Sequence, residues 1–175
     1  VRSIDFPEMM ITRCLFLDNQ RILLCSAEGI VRIYDIGRSL LSEPTQIGGG
    51  SIVALAASPD GLFAACGGRD GKLSVIDAQN AALIFSFQAH AAPISALAFS
   101  QDGARLASGA MYRLIHVWSA QTGDRLDIAS GHEAPITTAA WNADSSRIIT
   151  GSGDGTVIFW DAANARMLRR VGGNL

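Results

Sequence analysis

The chain has 175 residues, a formal net charge of -2, 49% apolar residues and only 17% charged ones. That balance excludes a disordered chain, and without a basic excess it gives no footprint for direct nucleic-acid binding. No apolar run approaches the ~18 residues of a membrane-spanning helix, and no secretory leader is visible after Val1.

Residues 1–5 align with the outer strands of later units and read as the remnant of a preceding one. Beyond them the chain repeats itself every 42 residues. Asp18, Asp60, Asp102 and Asp144 are so spaced, as are Ile52, Ile94 and Ile136, and the slots of Tyr34, Ile76, Trp118 and Trp160. Self-similarity at a fixed period near forty marks an array of stacked supersecondary units. The units cover approximately 9–47, 51–88, 93–130 and 135–172.

The third unit shows the pattern. Ile94–Phe99 is a short apolar run bounded by turns, as a strand buried in a stacked sheet would be. Gln101-Asp102-Gly103 follows as a hairpin turn, because Gly tolerates positive φ and Asp bonds its own backbone. Arg105–Gly109 and Leu114–Trp118 are the second and third strands, the latter rich in β-branched and aromatic residues. After Gln121-Thr122-Gly123-Asp124, residues Arg125–Ile128 alternate polar and apolar as a half-exposed outer strand. Glu28-Gly29, Asp70-Gly71 and Asp154-Gly155 mark the turn between second and third strands in the other units. No segment has helical periodicity. The expected fold is all-β: four blades of four short antiparallel strands, each too thin to bury both faces alone and so packed against its neighbours.

With these strands placed, the dipeptides become informative. Gly131-His132 opens a unit, Trp160-Asp161 closes one, and Tyr34-Asp35, Ile76-Asp77 and Trp118-Ser119 occupy the same closing slot. With the run Ile148–Asp161, these features resemble the WD-repeat β-propellers over essentially the whole chain. The resemblance implies a hydrogen-bonded network of His, Asp, Ser or Thr, and Trp within a blade. On the matching positions that is His132, Asp154, Thr150 and Trp160 in the fourth unit, and a partial set of His90, Ser108 and Trp118 in the third, where Tyr112 replaces the Asp. The second unit has Gly48, Cys66, Asp70 and Ile76 there, and the first has Phe6, Leu24, Glu28 and Tyr34. Those blades are expected to rely on apolar packing.

The resemblance also implies a function: a non-catalytic scaffold for protein–protein interactions within a multi-subunit complex. The alternatives are a regulatory or targeting domain of a larger enzyme and a component of a ribonucleoprotein assembly. A ubiquitin-ligase adaptor is disfavoured, because Gly37 and Ala163 stand where such adaptors carry a basic residue. Binding in repeat folds lives on loops. Among mostly small loop residues, Arg69, Met111, Tyr112, Arg113 and Glu133 stand out as partner-binding candidates, since Arg, Tyr and Met are enriched at interfaces.

Catalysis, metals and cofactors are not expected. His132, Thr150 and Asp154 have the residue types of a nucleophile triad, but the copies vary at these very positions. The three histidines lack ligand spacing, and Gly48-Gly49-Gly50 lacks the Lys-Ser or Lys-Thr and the helix of a phosphate loop. His116 reads as a solvated strand residue, because its slot also holds Arg32, Ser74 and Ile158. Cys14, Cys25 and Cys66 have no close pair and read as three buried free thiols. They fit a reducing, intracellular compartment, cytoplasmic or nuclear.

Val1 in place of Met, and Gly173-Asn174 standing where the next unit would open, suggest a segment of a longer propeller of about seven blades. Two four-blade chains joined into one ring are the alternative, with a compact four-blade ring after that.

Overall fold

The computed structural model describes residue 6 and residues 8–172. The expected remnant strand at 1–5 and the expected fifth opening at Gly173-Asn174 lie outside the described residues. Seventeen strands form four antiparallel sheets, and no helix is present among the described residues.

The first blade contains β1 (Ile11–Phe16), β2 (Arg21–Ser26), β3 (Ile30–Asp35), β4 (Leu40–Leu41) and β5 (Thr45–Gln46). The second contains β6 (Ile52–Ala57), β7 (Phe63–Gly68), β8 (Lys72–Asp77) and β9 (Leu83–Gln88). The third contains β10 (Ile94–Phe99), β11 (Arg105–Ala110), β12 (Leu114–Ser119) and β13 (Arg125–Ser130). The fourth contains β14 (Ile136–Trp141), β15 (Arg147–Ser152), β16 (Thr156–Asp161) and β17 (Met167–Gly172). In the last three blades the strands pair in chain order. The first blade departs from four strands: its outer edge is broken into β4 and β5, which both pair with β3. Pro44, which has no N–H to give a ladder, sits in the gap, and the Ser42 hydroxyl accepts the Ile33 amide at 2.9 Å.

The period-42 aspartates cap the turn after each first strand. Asp18 Oδ1 accepts the Gln20 amide at 2.7 Å, Asp60 that of Leu62 at 3.0 Å, Asp102 that of Ala104 at 3.0 Å, and Asp144 that of Ser146 at 2.9 Å. This is the local side-chain-to-backbone bond that makes Asp a turn former.

The innermost strands β1, β6, β10 and β14 touch in that order, and among the described residues no comparable contact returns from β14 to β1. The blades therefore form an arc. Three apolar layers fill the junctions: Leu23, Val31 and Ile33 against Ile52 and Ile76; Leu73 and Val75 against Ile94, Leu106 and Trp118; Ile115 and Val117 against Ile136, Ile148 and Trp160. Each blade thus has a trailing face turned to the next blade and a leading face turned to the previous one.

Polar contacts cross the same junctions. Arg21 Nη1 donates to the Ala78 carbonyl at 2.6 Å. Its repeat equivalent Arg105 donates to the carbonyls of Ala162 at 2.8 Å and Ser145 at 2.6 Å, with its guanidinium 4.7 Å from the Trp141 ring centroid.

Two cysteines are buried as expected, and one is not. Cys25 and Cys66 lie in the core between the first and second blades, whereas Cys14 is exposed. Cys14 pairs with Leu24 on β1 as Leu55 pairs with Cys66 on β6, and Leu55 packs against the preceding blade, whereas among the described residues no blade covers that face of β1. The neighbouring Cys25 thiol and full burial together push the Cys66 thiol well above its ordinary value.

Candidate partner-binding face and the networks behind it

The turn after each second strand is tied to the segment that enters the first strand of the same blade. The Ala27 amide donates to Met10 O at 3.0 Å, Arg69 to Ser51 O at 2.9 Å, Met111 to Pro93 O at 3.3 Å and Gly153 to Pro135 O at 2.9 Å. These four equivalent bonds bring both loop sets to one face of the arc.

The fourth blade braces this face with a closed hydrogen-bond network. The Trp160 indole N–H donates to Thr150 Oγ1 at 2.8 Å, and Thr150 Oγ1 lies 2.8 Å from His132 Nε2. Indole can only donate, so the threonine hydroxyl proton is free to go to Nε2. That leaves the ring proton on Nδ1, which faces Asp154 Oδ2 at 3.0 Å. Asp154 also accepts from the Thr156 hydroxyl at 2.6 Å and from the amides of Thr156 and Glu133, both at 2.8 Å. Burial opposes the charge on Asp154, but these donors outweigh it and hold its carboxyl well below the usual range. Thr150 is fully buried and the Asp154 side chain is only 7% exposed, which suits bracing.

In the third blade the chain stops one residue short. The Trp118 indole donates to Ser108 Oγ at 2.7 Å, and Ser108 Oγ lies 2.7 Å from His90 Nε2. Tyr112 stands at the Asp position, and the ring of His116 lies stacked on the face of His90, 4.2 Å away. Burial, then the neighbouring His116, lowers the His90 pKa to about 4. His116 is only 6% exposed, which corrects the expectation of a solvated residue. Neither of its ring nitrogens has a hydrogen-bond partner, and burial with the nearby Arg125 charge lowers its pKa. The slot faces the second blade, so the neighbouring sheet decides its burial.

The first two blades replace polar contacts with packing. Phe6 meets Tyr34 edge-on, with centroids 5.8 Å apart, and Cys66 stands buried where Thr150 stands in the fourth blade.

Of the five loop candidates, the structure gathers two. Arg69 and Met111 line a cleft of about 380 Å³ between the second and third blades, with Arg13, Val53, Pro93 and Ser95. Arg13 is a residue that sequence reasoning missed. It sits one blade away, held by bonds from Nε to Val53 O at 3.0 Å and from Nη1 to Thr12 O at 2.8 Å. Only its place on β1, the start of an inner strand, could have singled it out. Tyr112, Arg113 and Glu133 do not line the cleft. Tyr112 is 66% exposed beside it. Arg113 holds φ at 71°, where Gly29, Gly71 and Gly155 stand in the other blades at 80°, 83° and 77°. Glu133 is paired with Arg170 at 3.3 Å.

No curated protein sequence matches the chain. Among solved structures, one similar chain is that of the computationally designed Ika8 protein, at 27% identity and a TM-score of 0.80, covering 94% of this chain and 49% of that one. A chain of the Mitotic Checkpoint Complex superposes with a TM-score of 0.84 at 21% identity, covering 97% of this chain and 53% of that one. The chain thus spans about half the length of the structures it resembles. The family model for the WD domain, G-beta repeat, matches residues 42–77, 81–119 and 123–161. Three tandem matches over most of the sequence, on a fold of stacked four-stranded blades, establish that the chain belongs to the WD40-repeat family.

Proposed function

We propose that the chain is a non-catalytic scaffold of a multi-subunit complex, and that it receives a partner segment in the cleft between its second and third blades. WD40-repeat domains generally present surfaces to other proteins and carry no chemistry of their own. The observation that carries the finer reading is the grouping of Arg13, Arg69 and Met111 around Pro93 in a cleft of about 380 Å³ on the loop face. Two guanidinium groups over an apolar floor suit an acidic peptide that also inserts an apolar side chain.

The strained Arg113 beside this cleft supports the same reading. A non-glycine residue at positive φ, where the other blades use glycine, is the kind of local cost that collects at binding sites.

The test compares partner capture, read by mass spectrometry, for the native chain and for an Arg13→Ala, Arg69→Ala, Met111→Ala variant of unchanged circular dichroism. A stoichiometric partner lost only in the variant is the expected result. A partner kept by the variant would overturn this cleft as the site, and the absence of any partner would overturn the scaffold.

A further inference from the structure

The third blade keeps the turn that holds a carboxylate in the fourth blade, but its own sequence supplies no acid there. In the fourth blade Asp154 Oδ1 accepts the Thr156 amide, while Oδ2 accepts the Glu133 amide and faces His132 Nδ1. Leu114, Ala91 and His90 hold the positions of these three donors one repeat earlier, and Tyr112 that of the aspartate. The second blade shows that the strand-start amide takes an acid even without the histidine. There Asp70 Oδ1 accepts the Lys72 amide at 3.0 Å, with Gly48 in the histidine position.

The turn itself is conserved between the two blades. The Arg113 amide donates to Ala110 O at 3.2 Å, as the Gly155 amide does to Ser152 O at 3.2 Å. Arg113 holds φ at 71° and Gly155 at 77°. Residue 112 therefore leaves the same point of the same turn as residue 154, yet Tyr112 is 66% exposed and puts most of its ring in solvent.

The donors are left in place. Ser108 Oγ accepts the Trp118 indole proton and can give its own to His90 Nε2, which leaves the ring proton on Nδ1. Among the described residues nothing accepts that proton, the Ala91 amide has no acceptor, and no side chain accepts the Leu114 amide. The two His116 nitrogens are the only described side-chain polar atoms that are both buried and unpaired, so His90 Nδ1 is within reach of solvent.

The surroundings favour an anion. Arg113 beside this turn forms no ion pair among the described residues, and neither do Arg13 and Arg69 in the adjoining cleft. Turn and cleft share a wall, because Met111 lines the cleft and its amide bonds the Pro93 carbonyl.

We propose that an acidic side chain of the partner segment takes the place that Asp154 holds in the fourth blade, its carboxylate accepting from His90 Nδ1 and from the Ala91 and Leu114 amides. This rests on the partner-segment reading of the cleft and adds the residue class that seats beside it. Three donors shared between two oxygens of one plane suit a carboxylate, and bonds to an ionised acceptor are the strong ones. The partner thereby completes in trans the network that the third blade lacks in cis, and steadies the blade it binds.

The test needs no partner. Sodium acetate is titrated into the nitrogen-labelled native chain at near-neutral pH and constant ionic strength, with acetamide as the neutral isostere. The His90 ring nitrogens and the Ala91 and Leu114 amides are followed by NMR. The expected result is a saturable shift of all three with acetate and none with acetamide. Tyr112→Asp supplies the carboxylate from the chain itself, and the folded variant is expected to lose the response to acetate. If that variant does not fold, the contrast between acetate and acetamide on the native chain decides by itself. The absence of a saturable shift, an equal shift with acetamide, or a response that persists in folded Tyr112→Asp would each overturn the proposal. None of these outcomes touches the scaffold reading, which partner capture tests separately.

Discussion

The ring of His116 lies stacked on that of His90, with centroids 4.2 Å apart and planes 17° from parallel. Two protonated imidazoles in that position would repel each other inside a junction that already excludes water. Stability is therefore expected to fall in mild acid. Burial and His116 take the His90 pKa from 6.5 down to about 4, so the unfolded chain binds a proton that the folded chain refuses. The loss begins as pH drops through about 6.5, is complete near about 4, and amounts to roughly 3 kcal/mol for His90. Thermal unfolding midpoints measured across this window should decline for the native chain. They should decline less for His90→Gln.

His116 carries two ring nitrogens with no partner. A buried polar group left unpaired costs about 1–3 kcal/mol. His116→Phe keeps an aromatic ring against His90 and removes both nitrogens. It is expected to raise stability in urea by about 1 kcal/mol and to weaken the acid response described above.

Thr150 serves two partners at once, the Trp160 indole and the His132 ring. Thr150→Val keeps the shape and leaves both partners unpaired, with an expected loss of about 3 kcal/mol. Thr150→Ser keeps the hydroxyl and loses one methyl, at about 1 kcal/mol. Equal losses from the two substitutions in equilibrium unfolding would refute a hydrogen-bonding role for this residue.

Arg105 ties the third blade to the fourth through two carbonyls and the face of Trp141. Lysine cannot form the same fork or lie flat on the indole. Arg105→Lys is expected to cost about 2 kcal/mol, close to the value of one charged hydrogen bond. The measurement is a chemical denaturation midpoint. An unchanged midpoint would show that these contacts contribute nothing net.

Arg113 occupies a backbone conformation that glycine holds in the other three blades. Arg113→Gly is expected to stabilise the chain by about 0.5–1 kcal/mol, relief of strain being partly offset by the freer unfolded chain. A destabilised variant would mean that the arginine side chain makes contacts worth more than the strain.

The blade pattern was legible because it rests on short-range signals. The Asp at every forty-second position bonds amides two residues away, and the turns that follow are just as local. The broken outer edge of the first blade was not anticipated, because the repeat pattern smoothed over Pro44, which cannot give a ladder bond. What escaped depends on neighbouring blades. His116 shares its slot with Arg32, Ser74 and Ile158, which made the position look permissive. Its burial comes from the second blade, far away in sequence. Arg13 was hidden for the same reason, since its cleft is assembled with residues from two other blades. Cys14 was expected inside because it lies in a strand with apolar residues, yet it stands on the face that in later blades packs against the blade before, and among the described residues nothing covers it there.

The uneven spread of the polar networks has an effect during synthesis. The first blade leaves the ribosome before the other three, with a broken outer edge, a phenylalanine where the third and fourth blades have histidine, and a trailing face that stays wet until β6 and β7 arrive. The blade whose His132, Asp154, Thr150 and Trp160 network is complete follows the other three. In a stack where each unit is steadied by its neighbours, the early blades must wait, with apolar surface uncovered, for the one that locks them. This chain therefore needs protection from aggregation most during its own translation.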